Sequence, residues 1–566
     1  MTEEALQPAR RPVRRTELVC LIVLLAVQCS LLVSLAATTG VTVDEPAHIL
    51  SSILFWEGND RLYPRDMPPL IKIVGGWAAA EAGFRIVEES HEVWRTSHEW
   101  QISMDMIRRM SEEQLRRGLF RARLPMILFP LATACLLWWW ARQLFPFRVA
   151  LLLAALFAFE PTSLGHGVLY KNDHAAAFGY LLFWFFAWRY WRSPGFGNAV
   201  RLGCGLTLAL LAKLSMLVLL PLAPAVVVSR FRSVSRKVLL TNLLAVLLVP
   251  YLGSIAASQG EARRLKASEM NLTRDHNQIP RLLWAPFKIF QWVPVSMPIW
   301  QGFSSLVFSN RNPNAVYLMG GHYPFGHRGY FLAAAAVKAP ELLLLLLAAG
   351  IVLHAARGKR GYLRARDWLW LGPGALYFLM SSQSGLQLGF RLVLPCLPFA
   401  LLSMGHPLLL LARRLPRAIP AAILVAVFAP LVYYPHYISY FNFASGGPKN
   451  GLEYLSGSNI DWGQDLSRLR NFVRERGIQR ISLAYFGTDY PFSYFTEREL
   501  AWVDPPYGGS SVTNREYQPS PGVYAISATL LSGQFFGPDH RNYFRVFREM
   551  KPIGYAGYSI YIYRVP

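Results

Sequence analysis

Two carboxylates stand side by side just past the first apolar run of the chain, in Val41-Thr-Val-Asp44-Glu45-Pro46-Ala-His48. Proline suits the first turn of a helix, so Asp44 and Glu45 are expected at a helix N-terminus. A carboxylate there either caps the helix or, within reach of a hydroxyl, takes its proton as a general base. Charge beside an apolar span is costly and therefore informative, and more of it follows. Asp66-Met67-Pro68-Pro69-Leu-Ile-Lys72 is a rigid turn that leads a lysine into a short apolar stretch. The run from Glu160 to His174 carries His166, Lys171 and Asp173. Lys213 interrupts an apolar pair, His322 precedes a run containing Lys338, and Gln387-Leu-Gly389-Phe-Arg391 opens another run. Such lysines and arginines either snorkel to headgroups or hold an anion. Asp44, Glu45, His48, Asp173 and His174 are candidates to gather a divalent cation, although no zinc spacing of the usual kind is present.

The elements that must position these residues are membrane helices. Of 566 residues, 53% are hydrophobic and 16% charged, and the apolar residues come in long runs. Leu18–Ala37, Val238–Ala257 and Tyr330–Leu353 can each cross a hydrocarbon core of about 30 Å. The reading is about eleven spans, near 18–37, 123–141, 149–165, 175–191, 202–213, 214–229, 238–257, 330–353, 367–381, 391–412 and 417–435. The first is read as a retained helix rather than a signal peptide, because no small-residue cleavage site follows it. The five cysteines fall inside apolar runs and imply neither a metal site nor a disulfide framework.

The net charge of +23 has two candidate explanations, nucleic acid or membrane orientation. Its distribution decides. The basic clusters Arg10/Arg11/Arg14/Arg15, Arg142/Arg148, Arg189/Arg192/Arg201, Arg230/Arg232/Arg236/Lys237, Arg357–Arg366 and Arg413/Arg414/Arg417 fall between alternate apolar runs. With the N-terminal tail, 1–17, in the cytoplasm, every cluster lands there, and no nucleic acid is needed. The membrane domain is then 18–435, with outward loops 38–122 and 258–329. Within the first loop, Leu70–Ala82 is too short to span and is expected along the interface. A C-terminal region, 436–566, is also outward. There Gly463–Arg476 reads as a helix, and Ile478–Phe486, Gly522–Ala528 and Tyr558–Val565 as strands, giving a small α/β domain. Trp462 among Asp461, Gln464 and Asp465 suits either sugar binding or a rigid corner.

All the polar sites named above fall on one side of the threaded membrane. A coupled transporter would favour polar residues near helix midpoints, whereas one-sided clustering suggests a catalytic face that meets a lipid headgroup. In this order the motifs resemble the GT-C glycosyltransferases. More narrowly they are similar to the bacterial family-39-like, phospholipid-carrier-dependent group related to protein O-mannosyltransferases and aminoarabinose transferases. The resemblance is carried by Asp44-Glu45, by Pro68-Pro69-Leu-Ile-Lys72, by Asn172-Asp173 and Ala212-Lys213, and by Gly389-Phe-Arg391-Leu-Val-Leu-Pro395. It continues through Tyr440-Phe-Asn442, Gly446-Gly447-Pro448 and Ser458-Asn459-Ile460-Asp461-Trp462-Gly463-Gln464-Asp465-Leu466. Met67 departs from the histidine or asparagine that many relatives have there, which argues against a metal role for that turn.

The resemblance implies a polytopic α-helical enzyme of a bacterial inner or plasma membrane. It would transfer a sugar from a polyprenyl-phosphate carrier to an envelope acceptor, with inversion by single displacement. Asp44 is then expected as general base, with Glu45 orienting the acceptor or holding a cation and Asp173 as a second active-site acid. Lys72, Lys213 and Arg391 are expected on the donor phosphate. His48, His322, Asp461, Trp462 and Gln464 are expected toward the acceptor. No cofactor is implied beyond a candidate divalent cation. The competing readings are a lipid or solute transporter and a non-catalytic membrane assembly factor. Sugar, acceptor and carrier length are not encoded in any motif.

Overall fold

The computed structural model describes residues 13–58, 67–86, 99–276, 278–279, 284–355, 368–507 and 512–566. Among these, five helices are long and apolar enough to cross a membrane: Arg15–Thr38, Glu112–Arg142, Leu214–Ser233, Arg236–Ala256 and Phe390–Arg414. Two bent pairs raise the number to seven if each is one span. The chain is an integral membrane protein. Helices are labelled here as α1 (Arg15–Thr38), α2 (Glu45–Trp56), α3 (Pro69–Ala80), α4 (Glu112–Arg123), α5 (Leu128–Arg142), α6 (Phe147–Ala158), α7 (Pro161–Gly167), α8 (Asp173–Arg192), α9 (Phe196–Ala212), α10 (Leu219–Val228) and α11 (Arg236–Ala256).

Two of the expected spans are not straight. The run Tyr330–Leu353 bends by 118° into α12 (Tyr330–Lys338) and α13 (Glu341–Ala355). Pro340 at the break has no N–H to continue the helix. The Asn442 amide fills the gap by donating to the carbonyls of Ala336 and Ala339, and the Asn442 N–H bonds the carbonyl of Val337. Likewise α6 and α7 meet at 56°, at Glu160-Pro161. The short pair expected at 202–229 does break where expected. Lys213 is extended between α9 and the 3-10 turn Leu214–Val218 that leads into α10. The short stretch expected along the interface is α3, which packs on α2 with much of its surface buried.

Contacts between helix ends sort the charges. Arg142 at the end of α5 pairs with Glu17 at the start of α1, 3.0 Å apart, while Arg123 just before α5 reaches the carbonyls of Ala36 and Thr39 at the end of α1. These two helices therefore run antiparallel. Trp140 of α5 lies 5.8 Å from Trp188 of α8, and the Arg230 guanidinium stacks on Trp191 at 5.3 Å. Phe145 meets His406, two turns before Arg413 and Arg414. The described basic clusters thus gather at one end of the bundle, around a nest of large aromatic rings whose burial supplies much of the packing. Arg10, Arg11 and the cluster Arg357–Arg366 lie outside the described residues.

The C-terminal region builds a mixed five-stranded sheet beside helix α14 (Leu466–Glu475). A preceding hairpin pairs β1 (Val316–Leu318) with β2 (Gly321–Tyr323). The sheet strands are β3 (Ile481–Ala484), β4 (Leu500–Trp502), β5 (Gly522–Ser527), β6 (Gly554–Ala556) and β7 (Ile560–Val565), in the order β4-β3-β5-β7-β6. β3 is parallel to both neighbours, whereas β7 is antiparallel to β5 and β6. Leu466, Leu469 and Val473 of α14 cover one face, packed with Ile481, Leu483, Ala525, Ile560 and Ile562. The last strand is buried on both sides, because Tyr561 and Tyr563 pack with Phe544 and Phe547 on the other face.

Candidate active site

At the bundle end opposite the basic clusters, five ionisable side chains converge. Asp173 opens α8 and is 3% exposed. Its Oδ1 accepts from Lys213 Nζ at 2.6 Å and its Oδ2 from Arg391 Nη1 at 2.6 Å. Asp44 precedes α2, and its side chain makes no bond to the helix N-terminus, so the capping alternative does not describe it. Its carboxylate pairs with Lys171 and stands 4.0 Å from Arg391 Nη2. With its side chain 24% exposed, Asp44 is the accessible carboxylate of the group. Three cations against two carboxylates leave the cluster one positive charge in excess, which favours an anionic ligand.

Local backbone explains the convergence. Arg391 rides a 3-10 turn, Phe390–Cys396, entered through Gly389 at φ +138°, where a side chain would collide with Ser458. Ser458 Oγ accepts from Arg391 Nε at 3.1 Å, and Asn459 Oδ1 accepts from the Phe390 N–H at 2.9 Å. Lys213 is aimed by the break after α9. Trp462 forms a wall: the guanidinium of Arg391 lies 4.1 Å and the ammonium of Lys171 4.8 Å from its ring. His166 packs on the same indole at 5.6 Å. Two cations over one buried ring are attracted by its π-face at about 0.5–2 kcal/mol each.

The segment carrying Trp462 is tied to the loop carrying Asp44. The N–H groups of Gly40 and Val43 donate to the carbonyls of Gln464 and Trp462, and Thr488 donates to the carbonyl of Val43. The side chains of Asp461 and Gln464 are buried and bonded within this tie, whereas the expectation placed them toward an acceptor. Asp461 accepts from the backbone of Gly463 and Thr529, and Gln464 bonds Trp462 N, Ile460 O and Ser439. Burial pushes the Asp461 carboxyl up to about 7, against the pull of its bonds to Thr529 and Gly463. The rigid-corner alternative thus describes Asp461 and Gln464, while Trp462 is both corner and wall.

Glu45 also differs from expectation. It is fully buried and turned away from Asp44. Arg123 donates to both its oxygens, at 2.8 and 2.6 Å, and Tyr170 N and Thr42 fill the remaining lone pairs. A carboxylate so saturated positions the chain and has no lone pair left for an acceptor or a cation. His322 joins the β1–β2 hairpin to the sheet domain through the carbonyl of Ser532, 2.8 Å away, and burial holds its imidazole below the usual histidine range. His48 sits with its ring nitrogen 2.8 Å from the sulphur of Met67. Lys72 is buried in α3, whose carbonyl at that residue accepts from the Trp56 indole. Asp66 lies outside the described residues. No three His, Cys, Asp or Glu side chains converge on a metal position among the described residues.

Arg123 was not singled out by sequence, and Lys171 and Ser458 were named only within longer motifs, with no place of their own in the expected site. Lys171, two residues before Asp173, had the clearest signal, a second charge in a loop already marked as polar. Arg123 carried a weaker one, a charge at the very start of a span.

No family model matches the chain, and no curated protein does. Among solved structures the chain is similar to ArnT from Cupriavidus metallidurans bound to undecaprenyl phosphate. The identity is 12%, over 97% of this chain and 98% of that one, with a TM-score of 0.43. It is also similar to the oligosaccharyltransferase AglB from Archaeoglobus fulgidus, in complex with an inhibitory peptide and a dolichol-phosphate. There the identity is 15% and the TM-score 0.45, and the match covers 86% of this chain but only 64% of AglB.

Proposed function

We propose that the protein is a GT-C-type membrane glycosyltransferase that moves a sugar from a polyprenyl-phosphate carrier to an envelope acceptor. The observation that carries this reading is the cluster of Asp44, Asp173, Lys171, Lys213 and Arg391 at one end of the bundle, with one positive charge in excess. A sugar linked to a lipid phosphate is a phosphodiester with one negative charge. It matches the excess, and on departure it becomes a phosphomonoester with more charge to stabilise. Lys171, Lys213 and Arg391 would hold that phosphate, with Lys72 as a further candidate from α3. As Lys171 turns to the phosphate, Asp44 is released to take the acceptor proton. The acceptor oxygen then bonds the anomeric carbon as the carbon–phosphate-oxygen bond breaks, inverting the configuration in one displacement. Asp173, clamped by two cations, fixes Lys213 and Arg391 rather than acting as a base. Trp462 offers its edge as a wall for the sugar or acceptor.

The same reading assigns about eleven spans, a cytoplasmic N-terminus and an extracytoplasmic α/β domain over 436–566. It is supported by the gathering of basic clusters at the end away from the site. A single cysteine at position 540 should be labelled by an impermeant reagent in intact cells. Labelling only after the cytoplasmic side is opened would refute the orientation. The function is tested by mass spectrometry of polyprenyl-phosphate sugars and envelope glycans with and without the protein. A glycan lost on deletion and restored by wild type but not by Asp44→Asn is expected. Unchanged glycans together with an unchanged pool of carrier-linked sugars would reject it.

A further inference from the structure

A second cleft lies where the last turn of α1 meets α4 and α14. It encloses about 420 Å³, and none of its lining residues belongs to the Asp44–Asp173 cluster. Its floor is apolar, with Ala36, Ala37 and Leu119, and its rim carries Arg116, Arg468 and Arg470 against a single lining carboxylate, Glu112. Part of this basicity bolts the sheet domain to the membrane helices. Arg470 pairs with Glu112 and bonds Asn471, and Arg468 pairs with Asp465 and donates to the carbonyl of Thr38 at 3.0 Å. Bolting leaves donors over. Arg470 Nε is buried with no hydrogen-bond partner among the described residues, and a buried guanidinium donor without an acceptor is costly. Arg116 is mostly exposed and only 4.0 Å from Glu113.

We propose that this cleft binds the phosphate of an anionic lipid headgroup. The end of α1 sets its depth, since the residues where a membrane helix leaves its apolar run stand at headgroup level. The apolar floor suits the first carbons of an acyl chain, while the rim supplies planar, forked donors matched to phosphate oxygens. The site is separate from the donor-phosphate cluster and does not depend on sugar transfer, so it survives if the proposed function fails.

The test uses the full chain in nanodiscs of phosphatidylcholine, titrated with dioctanoyl phosphatidic acid, dioctanoylglycerol or inorganic phosphate. Binding is read by calorimetry and by the shift in melting temperature. Phosphatidic acid should bind and stabilise the protein, whereas the uncharged diacylglycerol should not. Arg116→Gln, at an exposed position that leaves the fold untouched, and Arg470→Gln should each weaken binding by about tenfold. Arg391→Gln should leave it unchanged. Loss of binding in Arg391→Gln with none in Arg116→Gln would assign the lipid to the reaction cluster and overturn the proposal. Inorganic phosphate binding as tightly as the lipid, or equal stabilisation by diacylglycerol, would overturn it as well.

Discussion

Asp44 and Glu45 are neighbours in sequence and belong to two different charge centres. Glu45 meets Arg123 with both side chains fully buried, and every lone pair is occupied by a fixed donor. Asp44 meets Lys171 and Arg391 in a group that keeps solvent access and unbalanced charge. The first arrangement is finished and the second is waiting for something. A saturated buried pair holds geometry, and removing one partner strands a charge. An over-cationic, part-open cluster can exchange a protein partner for a ligand without unfolding. The difference arises because helix α2 begins between the two residues, so successive side chains leave the backbone in different directions.

The comparison is sharpest in enzyme kinetics. Asp44→Asn should lower transfer by about 10²–10⁴-fold, the usual reach of a general base, with little change in melting temperature. If Glu45→Gln in folded protein costs as much turnover while Asp44→Asn costs little, the roles are reversed and the comparison breaks.

The Glu45–Arg123 pair itself is tested by Arg123→Met. Stranding Glu45 should cost about 3–5 kcal/mol, seen as a large fall in melting temperature or in folded yield. A variant with wild-type stability would show that the pair contributes no structure.

Next comes the anion side of the cluster. Arg391→Gln removes a contact to Asp173 and should raise the apparent donor Kd by about tenfold or more, with acceptor affinity less affected. Equal loss for donor and acceptor would point to collapse of the site. Trp462→Ala separates wall from corner in the same assay. A folded variant that discriminates acceptors poorly favours the wall, and an unstable one with unchanged preference leaves only the corner.

The remaining test concerns Asp461. Its carboxyl is raised from the usual aspartate range to about 7, so the protonated form stabilises the fold. That stability is complete below the unfolded-state value near 4 and is lost as pH rises through about 7. Asp461→Asn cannot titrate, and the difference in melting temperature between variant and wild type should move in the variant's favour from pH 5 to 8. A parallel pair of curves would show that Asp461 is ionised throughout that range.

Three of the five strands of the C-terminal sheet were legible in the sequence. Ile481–Ala484, Gly522–Ser527 and Ile560–Val565 fall inside the expected strands, and Leu466–Glu475 inside the expected helix, because period and turn residues are local signals. The short strands Leu500–Trp502 and Gly554–Ala556 were missed, since three residues at a sheet edge carry almost no pattern. The Tyr330–Leu353 run read as one span because an apolar composition does not register a 118° bend.

What the sequence determined by itself is that the chain crosses a membrane and which polar residues gather at one end of it. Long apolar runs require helices that satisfy their own backbone in lipid. Basic residues between alternate runs fix which ends lie together, and the surviving polar residues mark the other end. What only the tertiary structure decided is which of those polar residues face one another. Lys171 stands with Asp44, Arg391 with Asp173, and Glu45 with an arginine 78 positions away. Charge pairing in a low-dielectric interior is decided over a few ångströms by helix ends, breaks at Lys213 and Gly389, and the tie between Val43 and Trp462. Those are distances between segments remote in sequence, and no single segment encodes them.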